Sequence, residues 1–152
     1  MRLRLGIAAA ASAAAAAGLT AAIAQGPILP KPSLTPGVFN YAVKVSTIDT
    51  TICKSGWTKT IRPPVSYTNT LKIKQMQQYN ETGSPSSYEE DHFIPLELGG
   101  DPKNPRNLWP EPHSQSKGSD PLENSLKRQV CKGTLALKEA RIQIRQYKRA
   151  HG

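Results

Sequence analysis

Residues 89–110, EEDHFIPLELGGDPKNPRNLWP, set an acid beside a histidine, follow them with a double-glycine turn, and return through an asparagine at the head of an apolar run. Phosphodiester hydrolysis needs a base to deprotonate water, a cation to neutralise the charge that builds on the phosphate and leaving oxygens, and a group that holds the base in line. His92 is the candidate base, because an imidazole titrates close to neutrality. Asp91 adjoins it, so on an extended backbone its carboxylate points to the opposite side, where it could grip a hard cation such as magnesium. Asn107 is placed to orient His92 or to fix the loop through its amide. An Asp-His pair alone says little, since histidines more often satisfy local hydrogen bonds.

These groups converge only if the chain around them forms a hairpin. Residues 93–98 are strand-like, Gly99-Gly100-Asp101-Pro102 is a turn signal, and Asn107-Leu108-Trp109 resumes an apolar run. Two strands joined by an omega-like loop would bring His92 and Asn107 together at its base. Ser119-Asp120-Pro121 reads as a helix start, with Leu122, Leu126 and Val130 on one face and a stop before Gly133. A last helix over 137–148 turns Leu137, Ala140, Ile144 and Tyr147 inward and shows Lys138, Arg141, Arg145 and Lys148 on its other face. Upstream, Thr68 or Asn69 caps a helix ending near Asn80, with Leu71, Met76 and Tyr79 inward and Lys72 and Lys74 toward solvent. Residues 80–87 form a loop. Residues 38–51 alternate as a half-buried strand, and 53–64 give short extended pieces around Trp57.

The first 24 residues read as a secretory signal: Arg2 and Arg4, an Ala-rich apolar core, and Ala22-Ile23-Ala24 before Gln25. An uncleaved membrane anchor is the alternative; cleavage leaves a secreted or periplasmic protein with no membrane association. Residues 25–37 are proline-rich and read as a mobile linker, leaving 38–152 as one small domain. Losing Arg2 and Arg4 lowers the net charge from +9 to +7. A basic exported protein suits a polyanion such as nucleic acid or an anionic cell wall. Cys53 and Cys131 are expected to pair in an oxidising compartment. Closing so long a loop is worth roughly 4 kcal/mol in the chain-entropy model. Zinc is disfavoured by the absence of any CxxC spacing.

The run Asp91-His92-Phe93-Ile94-Pro95-Leu96, then Gly99-Gly100, then Asn107-Leu108, resembles the HNH nuclease motif. With TICKSGWTKTIRPP, SYTNTLK, YEEDH, PRNLWPEP, LEN and VCKG, the chain from about Val45 to Tyr147 is similar to small secreted HNH-like bacterial proteins. The resemblance implies an α+β fold with a ββα-metal hairpin and helix, and a metal-dependent endonuclease using magnesium or manganese, with DNA favoured over RNA. It implies Asp91 as metal ligand, His92 as general base and Asn107 as the middle, mainly structural residue. The third position, counted from relatives, falls on Ser116, a poor ligand. His113 is the preferred second ligand, with Asp120 another option and a single protein ligand plus waters a third.

Several neighbours have plainer readings beside the functional ones. Glu90 belongs to the metal shell or pairs with a lysine on an outer strand face. Trp109 stacks on a base or, more in keeping with its apolar run, is core. Glu123 braces the site or supports its helix's first turn. Lys117, Arg106 and the basic face of the last helix grip phosphates or are solvated; His151 falls in a tail with no assigned role. The rival to a nuclease is a non-catalytic module that binds nucleic acid or cell-wall polyanion on a degenerate HNH scaffold. A toxin or effector with an immunity partner is a third reading.

Overall fold

Two short antiparallel strands form the centre of the computed structural model, which describes residues 26–152; the expected signal peptide lies outside them. Strand β1 (Tyr88–His92) pairs with β2 (Leu108–Pro112) in a register running from Tyr88 opposite Pro112 to His92 opposite Leu108. Around this sheet stand α1 (Trp57–Ile61), α2 (Val65–Tyr79), α3 (His113–Cys131) and α4 (Leu137–His151), making a small α+β domain. No helix among the described residues is long and apolar enough to cross a membrane.

The first strand lies earlier than the apolar pattern predicts. It ends at His92, and residues 93–98, expected as a strand, turn instead into a 3-10 helix at Leu96–Leu98. Pro95 has no N–H to give a ladder, and Gly99 takes a left-handed φ of 79° that closes the turn. The run is apolar because Phe93, Ile94, Leu96 and Leu98 all insert into the interior.

The helices match their apolar stripes better than their expected starts. α2 begins after Pro64, ahead of Thr68 and Asn69, because a proline φ of −64° already suits a helix entry. It ends at Asn80, which adopts the left-handed conformation with φ 62°. α3 starts at His113, directly after β2, and runs through Ser119, Asp120 and Pro121. The expected start at Ser119 is thus overturned: Pro121 removes one N–H donor, yet the helix continues because Leu126 and Val130 pack its later turns.

One core cluster joins Val43, Ile52, Leu98, Leu126, Val130 and Ile144, and the Cys53–Cys131 disulfide closes over it with a Cα–Cα distance of 5.5 Å. A second cluster gathers Tyr79, Phe93, Ile94 and Trp109. Residues 38–51 form no strand beyond one bridge between Phe39 and Gly100; Val45–Thr50 is a 3-10 turn and Tyr41 is 86% exposed. The Thr47 hydroxyl holds this turn, accepting from the Lys44 N–H at 2.9 Å and donating to the Ala42 carbonyl at 2.7 Å. Trp57 lies in α1, where extended chain was expected.

The proline-rich segment is not a free linker over residues 26–37. Thr35 is buried between the Tyr79 hydroxyl, at 2.7 Å, and the Leu108 carbonyl, at 3.1 Å. Arg149 donates to the carbonyls of Pro30 and Thr35, and Gln115 bonds both backbone groups of Ile28. Such a segment lacks internal periodicity because its backbone groups find partners on other elements.

Candidate active site

Fourteen intervening residues separate His92 from Asn107, and the asparagine side chain organises them. Asn107 is fully buried. Its Oδ1 accepts from the Ile94 N–H at 3.0 Å, and its Nδ2 donates to the Ile94 carbonyl at 3.1 Å and to the Asp101 carbonyl at 3.0 Å. The Asn107 carbonyl also accepts from the Phe93 N–H at 2.8 Å. Asn107 therefore acts on the loop backbone rather than on the imidazole. Gly100 packs beneath it; an added Cβ there would collide with the Ile94 carbonyl oxygen, so the second glycine of the pair is required by a close backbone approach.

The loop returns Pro102 to His92. The histidine is 6% exposed, and its Nε2 lies 3.0 Å from the Pro102 carbonyl oxygen. A carbonyl can only accept, so Nε2 carries the proton in the neutral ring and Nδ1 keeps the lone pair. Burial pushes the His92 pKa below its ordinary value, against the pull of Asp91 and the Pro102 carbonyl; Arg62 and Lys148 add to the depression. His92 is thus neutral at pH 7, with one nitrogen pinned and the other available as a base.

Asp91 meets a different partner from the one expected. The Lys148 ammonium, fully buried, donates to Asp91 Oδ2, to Glu123 Oε1 at 2.7 Å and to the His92 carbonyl at 3.0 Å. Lys148 is therefore not on the solvent face of α4, as the pattern of charges predicts. Burial raises the Asp91 pKa, but Lys148 and then His92 outweigh it and hold the carboxyl below its usual range. Burial opposes the Lys148 charge too, and Asp91, Glu123 and Glu111 more than offset it, leaving the ammonium held well above its ordinary pKa.

Glu111, also fully buried, stands beside Asp91, and no protein donor reaches either of its oxygens. Burial first, then the Asp91 charge, raises its pKa to about 9, so it retains a proton and satisfies itself by donating to Asp91. Burial raises Glu123 to about 7, with Lys148 opposing. Glu123 braces the cluster through Lys148. Glu90 has neither oxygen paired; burial, then Asp91, raises it to about 8 against the pull of Lys72. Lys72, expected toward solvent, is half-buried with its ammonium on the Tyr88 carbonyl at 2.8 Å.

Two hollows flank His92, and Arg62 lines both. The first, of about 280 Å³, is bordered by Lys72, Glu90 and His113, and the second, of about 240 Å³, by Asp91, Asp120 and Glu123. The structure does not bring His113 to Asp91. His113 is exposed on the first turn of α3 and follows Pro112, which pairs with Tyr88 at the far end of β1 from Asp91. Three residue steps along β1 lie between Tyr88 and Asp91, about 10 Å of backbone. Ser116 is buried, with its hydroxyl on the His113 carbonyl at 3.3 Å. Among the described residues no three His, Cys, Asp or Glu side chains converge to hold a metal ion. As arranged, Asp91 and His113 do not fit a divalent cation.

Trp109 is wholly buried and therefore core. Arg106 and Lys117 are exposed. His151 ends α4, its ring stacked on Tyr147 with centroids 4.6 Å apart. Sequence reasoning missed Glu111, Lys148 and Arg62, and the one signal pointing to Lys148 was its helical spacing from Ile144. No protein-family model, curated protein or solved structure matches this chain.

Proposed function

We propose that this domain hydrolyses phosphodiester bonds in nucleic acid, with His92 as the general base in an HNH-type hairpin. The observation that carries the reading is the bond from His92 Nε2 to the Pro102 carbonyl, which leaves Nδ1 unprotonated. Support comes also from the order β1, β2, α3, from the Asn107 brace, and from Arg62, which lines both hollows beside His92. The Cys53–Cys131 bond supports export to an oxidising compartment.

In this mechanism His92 Nδ1 takes a proton from water, whose oxygen attacks phosphorus. The bond to the leaving sugar oxygen breaks and that oxygen takes a proton from solvent. Arg62 offers a planar, permanently charged donor set for the phosphate oxygens. No step is routed through magnesium, because Asp91, its expected ligand, is held by the Lys148 ammonium and His113 does not stand beside it.

A binding module for nucleic acid or cell-wall polyanion is the second reading, favoured by the occupation of Asp91 by Lys148. Plasmid DNA and RNA, incubated with the oxidised protein and with its His92→Ala variant, separate the two. Strand cleavage by the wild type that the folded variant loses supports the hydrolase. Salt-sensitive binding without cleavage by either protein overturns it in favour of the module.

A further inference from the structure

Asp91, the carboxylate that the HNH resemblance would offer to a divalent cation, holds an ammonium instead, and Glu123 shares it. Lys148 reaches them from α4, whereas Asp91 comes from β1, Glu111 from β2 and Glu123 from α3. An ammonium has three N–H bonds, and all three are taken, by Asp91, Glu123 and the His92 carbonyl. With no solvent exposure, the ammonium has no water to exchange for another partner.

We propose that Lys148 is the resident cation of this site, closing it to divalent metals in the wild-type protein, and that removing the ammonium converts Asp91 and Glu123 into a divalent-cation site. The chemistry is a substitution of like for like. Both cations are hard, both take carboxylate and carbonyl oxygens, and either one balances charge that burial makes costly. A tethered ammonium is always present and surrenders its hydration once, on folding. Magnesium must shed tightly held water at each binding event. Lys148 also holds the His92 carbonyl, so it is a positioning residue for the imidazole. The inference goes beyond the hydrolase reading and does not depend on cleavage, because it concerns which cation the carboxylates hold.

The test is manganese binding by the full, oxidised chain, followed by electron paramagnetic resonance and by paramagnetic broadening of the Asp91 and Glu123 resonances. The wild type is expected to leave those resonances sharp. Lys148→Met is expected to bind one manganese ion at least about tenfold more tightly than the wild type, and Lys148→Met with Asp91→Asn to lose it. Manganese bound by the wild type and released by Asp91→Asn overturns the proposal, as does a folded Lys148→Met protein that binds none. Should Lys148→Met not fold, Lys148→Gln, which removes the charge and keeps N–H donors, is read in the same way, and the wild-type spectrum decides independently.

Discussion

Lys148 and Asp91, 57 residues apart in the chain, form an ion pair whose ammonium has no solvent exposure and whose carboxylate side chain is 24% exposed. Removing one member of a buried pair costs more than the pair contributes, since the surviving charge stays desolvated. Lys148→Met is therefore expected to lower unfolding free energy by about 3–5 kcal/mol in a denaturant titration. Adding Asp91→Asn to that variant should recover part of the loss; a further loss would mean that Asp91 is held by something other than Lys148.

The depressed pKa of His92 sets the acid limb of any activity. The base works only unprotonated, so its rate is maintained below about pH 6.5, the ordinary imidazole value, and falls as pH drops through the lowered one. An acid limb centred at or above the ordinary value, read from cleavage rate against pH, would remove His92 from the role of base.

Glu90 and Glu111 retain protons in the fold to about pH 8 and about pH 9, whereas the unfolded chain releases them near pH 4.3. Between those limits the folded state binds more protons than the unfolded one. Their contribution to stability is complete at the low end and declines as pH rises. Near pH 7 the unfolded His92 still holds a minor fraction of a proton that is gone by about pH 8, too little to offset the two glutamates, so melting temperature should fall from pH 7 to about pH 9. Glu111→Gln, whose amide can still donate to Asp91, should make the fall shallower; an unchanged slope would show that Glu111 is ionised at neutrality.

Asn107→Ala leaves both backbone groups of Ile94 and the Asp101 carbonyl without their side-chain partner. Buried groups left unsatisfied cost about 1–3 kcal/mol each, less where water enters, so a total near 3 kcal/mol is expected. Asn107→Asp keeps the acceptor for the Ile94 N–H and loses both donors, and should lie between wild type and alanine in thermal unfolding. Loop amides at residues 94–104 that exchange no faster in Asn107→Ala would contradict the bracing role.

The sequence by itself carried the local and pairwise information: the histidine and asparagine either side of a glycine turn, the two cysteines, and the stripes that became α3 and α4. Each of these depends on residue type and on spacing within one element or across one turn. Element boundaries at Pro64 and His113 were less legible, because Thr68, Asn69 and Ser119 are equally good cap residues and packing, not capping, selected the start. The charge at the centre of the site was not legible at all. Lys148 stands four residues after Ile144, on the buried stripe of its helix, but a lysine there reads as surface because an unpaired ammonium is too costly to bury. Only the fold, by delivering Asp91 from β1 and Glu123 from α3 to the same point, supplies the opposite charges that make its burial tolerable.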